Sequence, residues 1–305
     1  VPIRHKQHVT PQYYLLGFTE CPGSNLIWRY EKGSQCVLET GAKHVGWIRD
    51  YYARENADGT IDYDSHEHYL ESKIESPANL VIARIRRREA ITPEQKVIMA
   101  QYVSVMLRRV PHHRERQTKE FAPKVAQSLS GSLDQWLAGM LEKDPSLQDR
   151  LEAVRDEMKG HLAEFGTHPP SKLLLPFAND RIAGVIAVMR WCFLTCDYPD
   201  MAFATSDNPV FYFEHTGIGR PERPWGEFTL PLSSQVALWA TWRTDIVDGY
   251  LPAPRQAVKE ITRRSVSTAT RYVYYQGKAD WLLRMVNKPH HQLQNLAGLI
   301  IQGSN

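Results

Sequence analysis

The hydrophobic period of this chain changes twice, and that order constrains the fold more than any single motif. Near the start, Leu26–Tyr30 and Gln35–Glu39 flank Glu31-Lys32-Gly33-Ser34, which predicts a β-hairpin with a Gly-containing turn. From Ser65 to Arg88, Leu70, Ile74, Ala78, Val81 and Ile85 recur at spacings of three and four, a helical period. After Met201 the pattern returns to strands, at Met201–Thr205, Val210–Phe213, Phe228–Pro231, Val236–Trp242 and Thr270–Tyr275, with helices over 255–268 and 279–287. Strands segregated from helices predict an α+β fold: an N-terminal hairpin joined to C-terminal antiparallel strands, with a long central helical block. The length of 305 residues is read as one domain over 1–305, with the helical block over about 65–195.

Punctuation inside the block is explicit. Ser76-Pro77 either kinks one helix or starts a second, with Ser76 as its cap. Thr92-Pro93-Glu94-Gln95 is a capping box with proline at the first helical position. Breaks are expected at Pro111, near Ser130-Gly131-Ser132, at Asp144-Pro145-Ser146 and at His168-Pro169-Pro170. Asn179 or Asp180 then caps a helix whose inward face carries Ile182, Val185, Ile186, Met189 and Phe193. At the front, Thr10-Pro11 predicts an extended step and then a short helix through Leu15.

Bulk chemistry excludes several classes. A net charge of +3 does not by itself argue for nucleic acid. Four cysteines without a CxxC are not a disulfide framework, and the reading is reduced thiols in a cytoplasmic protein. The first residues lack the apolar segment of a secretory signal, and no apolar run is long enough for a membrane span, so no membrane partner is expected.

The opening His8-x-x-Pro11-x-x-Tyr14-Leu15-x-x-Phe18 resembles the signature of a mainly bacterial family, domain of unknown function 4238. Later stretches look similar to it in the same order: Ile74-Glu75, Arg109-Val110-Pro111, Phe203 to Val210, Leu230-Pro231-Leu232-Ser233 and Ala269 to Tyr274. The departure is Val110, where the family is expected to carry threonine. The resemblance implies no activity and no catalytic residues; it marks positions.

The candidate site residues come from geometry. If 66–88 and 93–109 form an antiparallel helical hairpin, Arg109 returns to the level of Glu71 and Glu75. Arg109 lies on the apolar stripe of Ile98, Tyr102 and Val105, so its charge needs a carboxylate. It either forms a structural pair with Glu75 or holds a ligand's phosphate or carboxylate. His8 is either a general acid/base or a tie for the N-terminal segment. Asp207 is either a catalytic or metal-binding group at a strand end or an Asx-turn residue.

His5 and His8 form H-x-x-H, compatible with one metal ion if helical. Asp62–His68, rich in ligand types, reads rather as a helix N-terminus. Arg108 and His113 match R-x4-H, a pattern similar to that of helical RNases (the HEPN domains), but Pro111 interrupts the helix it needs. Arg84, Arg86, Arg87 and Arg88 read as a solvated face, with a phosphate-attracting surface as the alternative. Trp225, Trp239, Trp242, Tyr272, Tyr274 and Tyr275 read mostly as core, with base stacking as the alternative.

The resulting expectation is a nuclease-like hydrolase acting on a phosphodiester or related phosphate-containing substrate, nucleic acid included, with a role in bacterial defence or toxicity. His8, Asp207 and Glu75 are the catalytic candidates, and Arg109, Asn208 and Gln12 the substrate-binding ones. A divalent metal is a candidate cofactor, with His5, His8 and Asp207 as candidate ligands. The competing class is a non-catalytic ligand- or partner-binding protein whose polar cluster is structural.

Overall fold

The computed structural model describes residues 5–21, 23–56, 58–169, 175, 177, 179–213, 226–289 and 292–302. The front of the chain holds β1 (Lys6–His8), α1 (Gln12–Leu15), β2 (Leu26–Glu31), β3 (Val37–Gly41), β4 (Trp47–Arg49), β5 (Arg54–Glu55) and β6 (Ile61–Asp62). The middle holds α2 (Ser65–Tyr69), α3 (Ser76–Arg86), α4 (Pro93–Arg108), α5 (Pro111–Arg116), α6 (Ala122–Lys143), α7 (Gln148–Thr167) and α8 (Asp180–Val188). The last third holds β7 (Arg190–Thr195), β8 (Thr205–Ser206), β9 (Phe211–Phe213), β10 (Glu227–Pro231), β11 (Val236–Thr241) and β12 (Gly249–Pro252). It closes with α9 (Arg255–Thr268), β13 (Tyr272–Tyr275), α10 (Asp280–Val286) and α11 (Leu296–Gln302). The fold is α+β.

The chain forms two compact units: one built from residues 1–52, 63–110 and 176–305, the other from 53–62 and 111–175. In the larger unit, a five-stranded sheet runs in the order β12-β7-β11-β10-β9, antiparallel except where β12 lies parallel to β7. A four-stranded sheet, β3-β2-β13-β8, joins the N-terminal hairpin to late strands as expected. Helix α9 serves both sheets: Ala257, Val258 and Ile261 pack with Cys192, Leu194 and Trp239, while Val266 packs with Tyr30, Val273 and Leu282. Trp239, Tyr274 and Tyr275 are core, as read; Trp225 lies outside the described residues.

Two details correct the helical reading. Residues 190–195 are not the end of a helix but the strand β7, between β11 and β12. The run Trp191-Cys192-Phe193-Leu194-Thr195 is buried throughout, and an unbroken apolar run fits either structure until its neighbours are known. Helix α6 passes through Ser130-Gly131-Ser132 without a break; the break comes at Asp144, whose side chain accepts from the Ser146 amide.

Ser76-Pro77 makes no new helix start. The backbone stays helical from Ser65 to Arg86, with a π turn at Leu70–Glu75. Pro77 has no N–H for the Lys73 carbonyl, and its ring crowds that oxygen. The turn widens, and the Ser76 amide reaches back five residues to the Glu71 carbonyl. Pro123 repeats the device in the smaller unit, where the Ala122 amide bonds the Gln117 carbonyl after a π turn at Gln117–Phe121.

Candidate functional site: a half-buried acid–base cluster

Strand β1 carries His8 into the larger unit by pairing antiparallel with β4, His8 opposite Trp47. The next amides, Val9 and Thr10, both donate to the Gly46 carbonyl, at 2.8 and 2.9 Å. Gln7, wholly buried, fixes the strand from beside: its amide nitrogen donates to the Tyr63 carbonyl at 2.6 Å, and its oxygen accepts from the Tyr52 amide. The antiparallel helical hairpin forms as its spacing predicts, the Thr92 capping box included. It brings Arg109 to Glu75, Nη1 to Oε1 at 2.7 Å.

The arginine is fully buried and Glu75 is 18% exposed. Nη2 of Arg109 donates to the His8 carbonyl, which also accepts from the Tyr52 hydroxyl at 3.0 Å. Glu67, from α2, accepts from the His8 amide at 3.3 Å. The His8 peptide is thus held by Arg109, Tyr52 and Glu67, while its half-buried ring lies in the field of Glu75 and Arg109. Among the described residues, several buried polar atoms around it have no hydrogen-bond partner: His8 Nε2, Glu67 Oε2, Tyr102 OH and Arg109 Nε. Buried polar atoms are nearly always satisfied, so this concentration sets the cluster apart from the ordinary core.

Electrostatics set this cluster apart. Burial lifts the Glu67 carboxyl from the ordinary 4.5 to about 7, against the pull of Arg109. Burial lowers the His8 imidazole below its ordinary 6.5, with Glu75 pulling it up and Arg109 pushing it down. Around neutrality the site therefore holds a carboxyl that is about half protonated and an imidazole shifted toward its neutral form.

The structure brings together His8, Glu75 and Arg109, and it does not bring the other candidates to them. Asp207 spends its carboxylate on three backbone amides, Thr270 at 2.7 Å, Arg271 at 2.8 Å and Tyr272 at 3.0 Å. It is a buried pin that locks the turn into β13. Asn208 donates to the Thr268 carbonyl at 3.1 Å, and Gln12 opens α1 as an exposed residue.

His5 and His8 do not form a metal pair. The intervening chain is a strand, which sends residues three apart to opposite faces. The His5 ring bonds the Asp50 carboxylate at 2.7 Å instead. Among the described residues no group of three or more His, Cys, Asp or Glu side chains is arranged to hold a metal ion. Arg109 cannot act as an exposed phosphate clamp, because two of its nitrogens are already committed inside the fold.

Front, middle and late segments do converge, but at Tyr14 and Arg86. The Tyr14 hydroxyl bonds Thr205 Oγ1 at 2.6 Å and donates to the Pro231 carbonyl at 2.7 Å. Arg86 donates to the carbonyls of Tyr14 and Leu232 at 2.8 and 2.9 Å. Arg86 therefore leaves the exposed basic face on which it was expected.

Sequence reasoning missed Glu67 as a site residue, although Glu67, Glu71 and Glu75 stand four apart on one helix. It also missed a second buried ion network, Arg264 with Glu227 at 2.5 Å and Glu260 at 3.4 Å. Ala257, Ile261 and Arg264 follow at four and three, the same apolar-stripe spacing that singled out Arg109.

A family model described as Protein of unknown function (DUF4238) matches residues 6–279. The comparisons with curated proteins and with solved structures returned no match. Among the described residues, no helix is long and apolar enough to cross a membrane.

Proposed function

The chain belongs to the DUF4238 family, whose description names no reaction, and from the site alone we propose that it is a hydrolase using His8 and Glu67 as a base–acid pair. Neutral His8 takes a proton from water as its oxygen attacks, and protonated Glu67 gives its proton to the leaving oxygen. Glu75 and Arg109 are positioning residues: the pair anchors the His8 carbonyl and sets the local charge. The substrate class is a phosphodiester or related phosphate ester, in keeping with a carboxyl that is partly protonated near neutrality and so able to protonate a leaving oxygen; a nuclease-like role in bacterial defence or toxicity goes with it. The observation that carries the reading is the opposed displacement of His8 and Glu67 beside His8 Nε2 and Glu67 Oε2, which have no hydrogen-bond partner among the described residues.

A second reading has its own observation. Complete burial of Arg109 with two nitrogens engaged suits a closed polar network that fixes the fold of a binding protein. The deciding experiment incubates wild type, His8→Ala and Glu67→Gln with pooled RNA, DNA and bis-(p-nitrophenyl) phosphate, with and without divalent metal. Cleavage by wild type that both variants lose supports the hydrolase. Wild type as inactive as the variants leaves the network reading.

A further inference from the structure

The smaller unit carries an apolar face that its own helices leave in solvent. Helices α6 and α7 close on each other through buried Ala126, Leu133, Leu137 and Gly166. Phe121, just before α6, Leu129 and Trp136 on it, and Val154 and Met158 on α7 stay 41–56% exposed. They share one side of the hairpin. At about 100° per residue, Leu129 and Trp136 lie on the opposite side of the Leu133–Leu137 line from Asp134. Val154 and Met158 lie on the opposite side of the Arg155–Leu162 line from Lys159. Asp134 and Lys159 meet at 2.8 Å and close the far side.

The same face is short of charge. Between Lys124 and Glu142, Asp134 is the single charged residue of α6, and it points to the far side. Helix α7 holds eight charged residues, yet Val154, Met158 and Phe165, and Leu147 just before it, form an uncharged side. Depletion of charge is the compositional mark of an interface core. The five exposed side chains alone leave on the order of 500 Å² of apolar surface in water, at roughly 150–250 Å² per large side chain. The whole face, about 33 Å long for 22 residues and about 20 Å wide for two helices, offers the ~800 Å² per partner of a stable interface.

We infer that this face is a homodimer interface, in which two α6–α7 hairpins stack across a two-fold axis as a four-helix bundle. The symmetry of the stripe selects a second copy as the occupant. Phe121 and Trp136 stand eight and seven residues to either side of Leu129. A second copy of α6 running antiparallel therefore sets its Trp136 over Phe121 and its Phe121 over Trp136, with the two Leu129 side chains together at the axis. By the same count Val125 falls opposite the small Ser132 of the second copy, so bulk meets space. A surface complementary to itself makes a contact that closes at two copies. Trp136 is level with Val154 and Met158 across the hairpin and is the anchor of the interface.

The test is sedimentation velocity of the full chain at about 10 µM, above the ~1 µM dissociation constant expected of such an interface. Wild type is expected at twice the 35.0 kDa chain mass. Trp136→Glu is expected to weaken association about 30-fold or more, the cost of losing an aromatic anchor, and to sediment as a monomer. Leu80→Glu, at an exposed apolar residue of α3, is expected to stay dimeric. Circular dichroism of each variant separates a lost interface from a lost fold. Register is read by oxidative crosslinking with the exposed Cys21 and Cys36 replaced by serine. Leu129→Cys is expected to link two copies, and Phe121→Cys to fail, because its counterparts stand about 22 Å apart along antiparallel helices. A wild type of single-chain mass, or a dimer that Trp136→Glu leaves intact, overturns the interface. Linking of Phe121→Cys as readily as Leu129→Cys overturns the antiparallel register.

Discussion

Arg109 and Glu75 meet at 2.7 Å, the guanidinium shut away from solvent and the carboxylate open along one edge. Removing one partner leaves a buried charge with no counterion. Glu75→Ala and Arg109→Met are each expected to lower stability by about 3–5 kcal/mol, the usual cost of breaking such a pair. The double variant should lose clearly less than the sum of the singles, because it strands no charge. Urea unfolding of all four proteins checks this, and additive losses would mean that the two side chains act independently.

The displaced groups give pH signatures of opposite sign. Glu67 titrates higher in the folded chain than in the unfolded one, so its contribution is complete below 4.5 and is lost as pH rises through about 7. His8 titrates lower when folded, so its contribution is complete above 6.5 and is lost as pH falls through its lowered value. Glu67→Gln should therefore gain stability relative to wild type at pH 8 compared with pH 5. If the pair is catalytic, wild-type hydrolysis should rise through the His8 value and fall above about 7. A Glu67→Gln variant with the wild-type pH dependence of stability would remove Glu67 from both arguments.

What the sequence revealed and what it hid divide along physical lines. The Arg109–Glu75 pair was legible because helix rise and hairpin symmetry are local rules, and an arginine on an apolar stripe demands a partner. The capping box at Thr92 was legible for the same reason: both its members lie within one turn. The place of Asp207 was not, because its partners are backbone amides some sixty residues away, at Thr270 to Tyr272. No local side-chain pattern encodes a bond to an amide that far along the chain. Strand β7 was hidden because burial on both faces erases the alternation by which a strand is recognised.

Asp207→Asn tests whether that residue is structural. One amide oxygen replaces two carboxylate oxygens, and the new NH2 group confronts a backbone N–H it cannot bond. Hydrogen bonds to charged groups are worth about 1.5–3 kcal/mol each, so a loss of stability in that range or above is expected. Any hydrolysis by the folded fraction should be unchanged. A variant as stable as wild type but inactive would return Asp207 to the catalytic set.

Gly46 ties backbone geometry to the site. Its carbonyl holds Val9 and Thr10, the residues that follow His8, and its φ of 72° belongs to the left-handed region. A Cβ there would stand 2.7 Å from the Thr10 carbonyl oxygen and 3.0 Å from Leu15 Cδ1, the first a backbone atom that cannot turn aside. Gly33 has the same φ of 72° and nothing within 4 Å of a built Cβ. Both alanine variants carry the left-handed penalty of about 1–2 kcal/mol; only Gly46→Ala adds the collision. Thermal unfolding should rank wild type above Gly33→Ala and Gly33→Ala above Gly46→Ala. Because relief of the collision must move Thr10 or Gly46, Gly46→Ala should also shift the His8 ring resonances by NMR, whereas Gly33→Ala should leave them in place. Equal losses with unmoved His8 resonances would mean that the β1–β4 junction yields without disturbing the cluster.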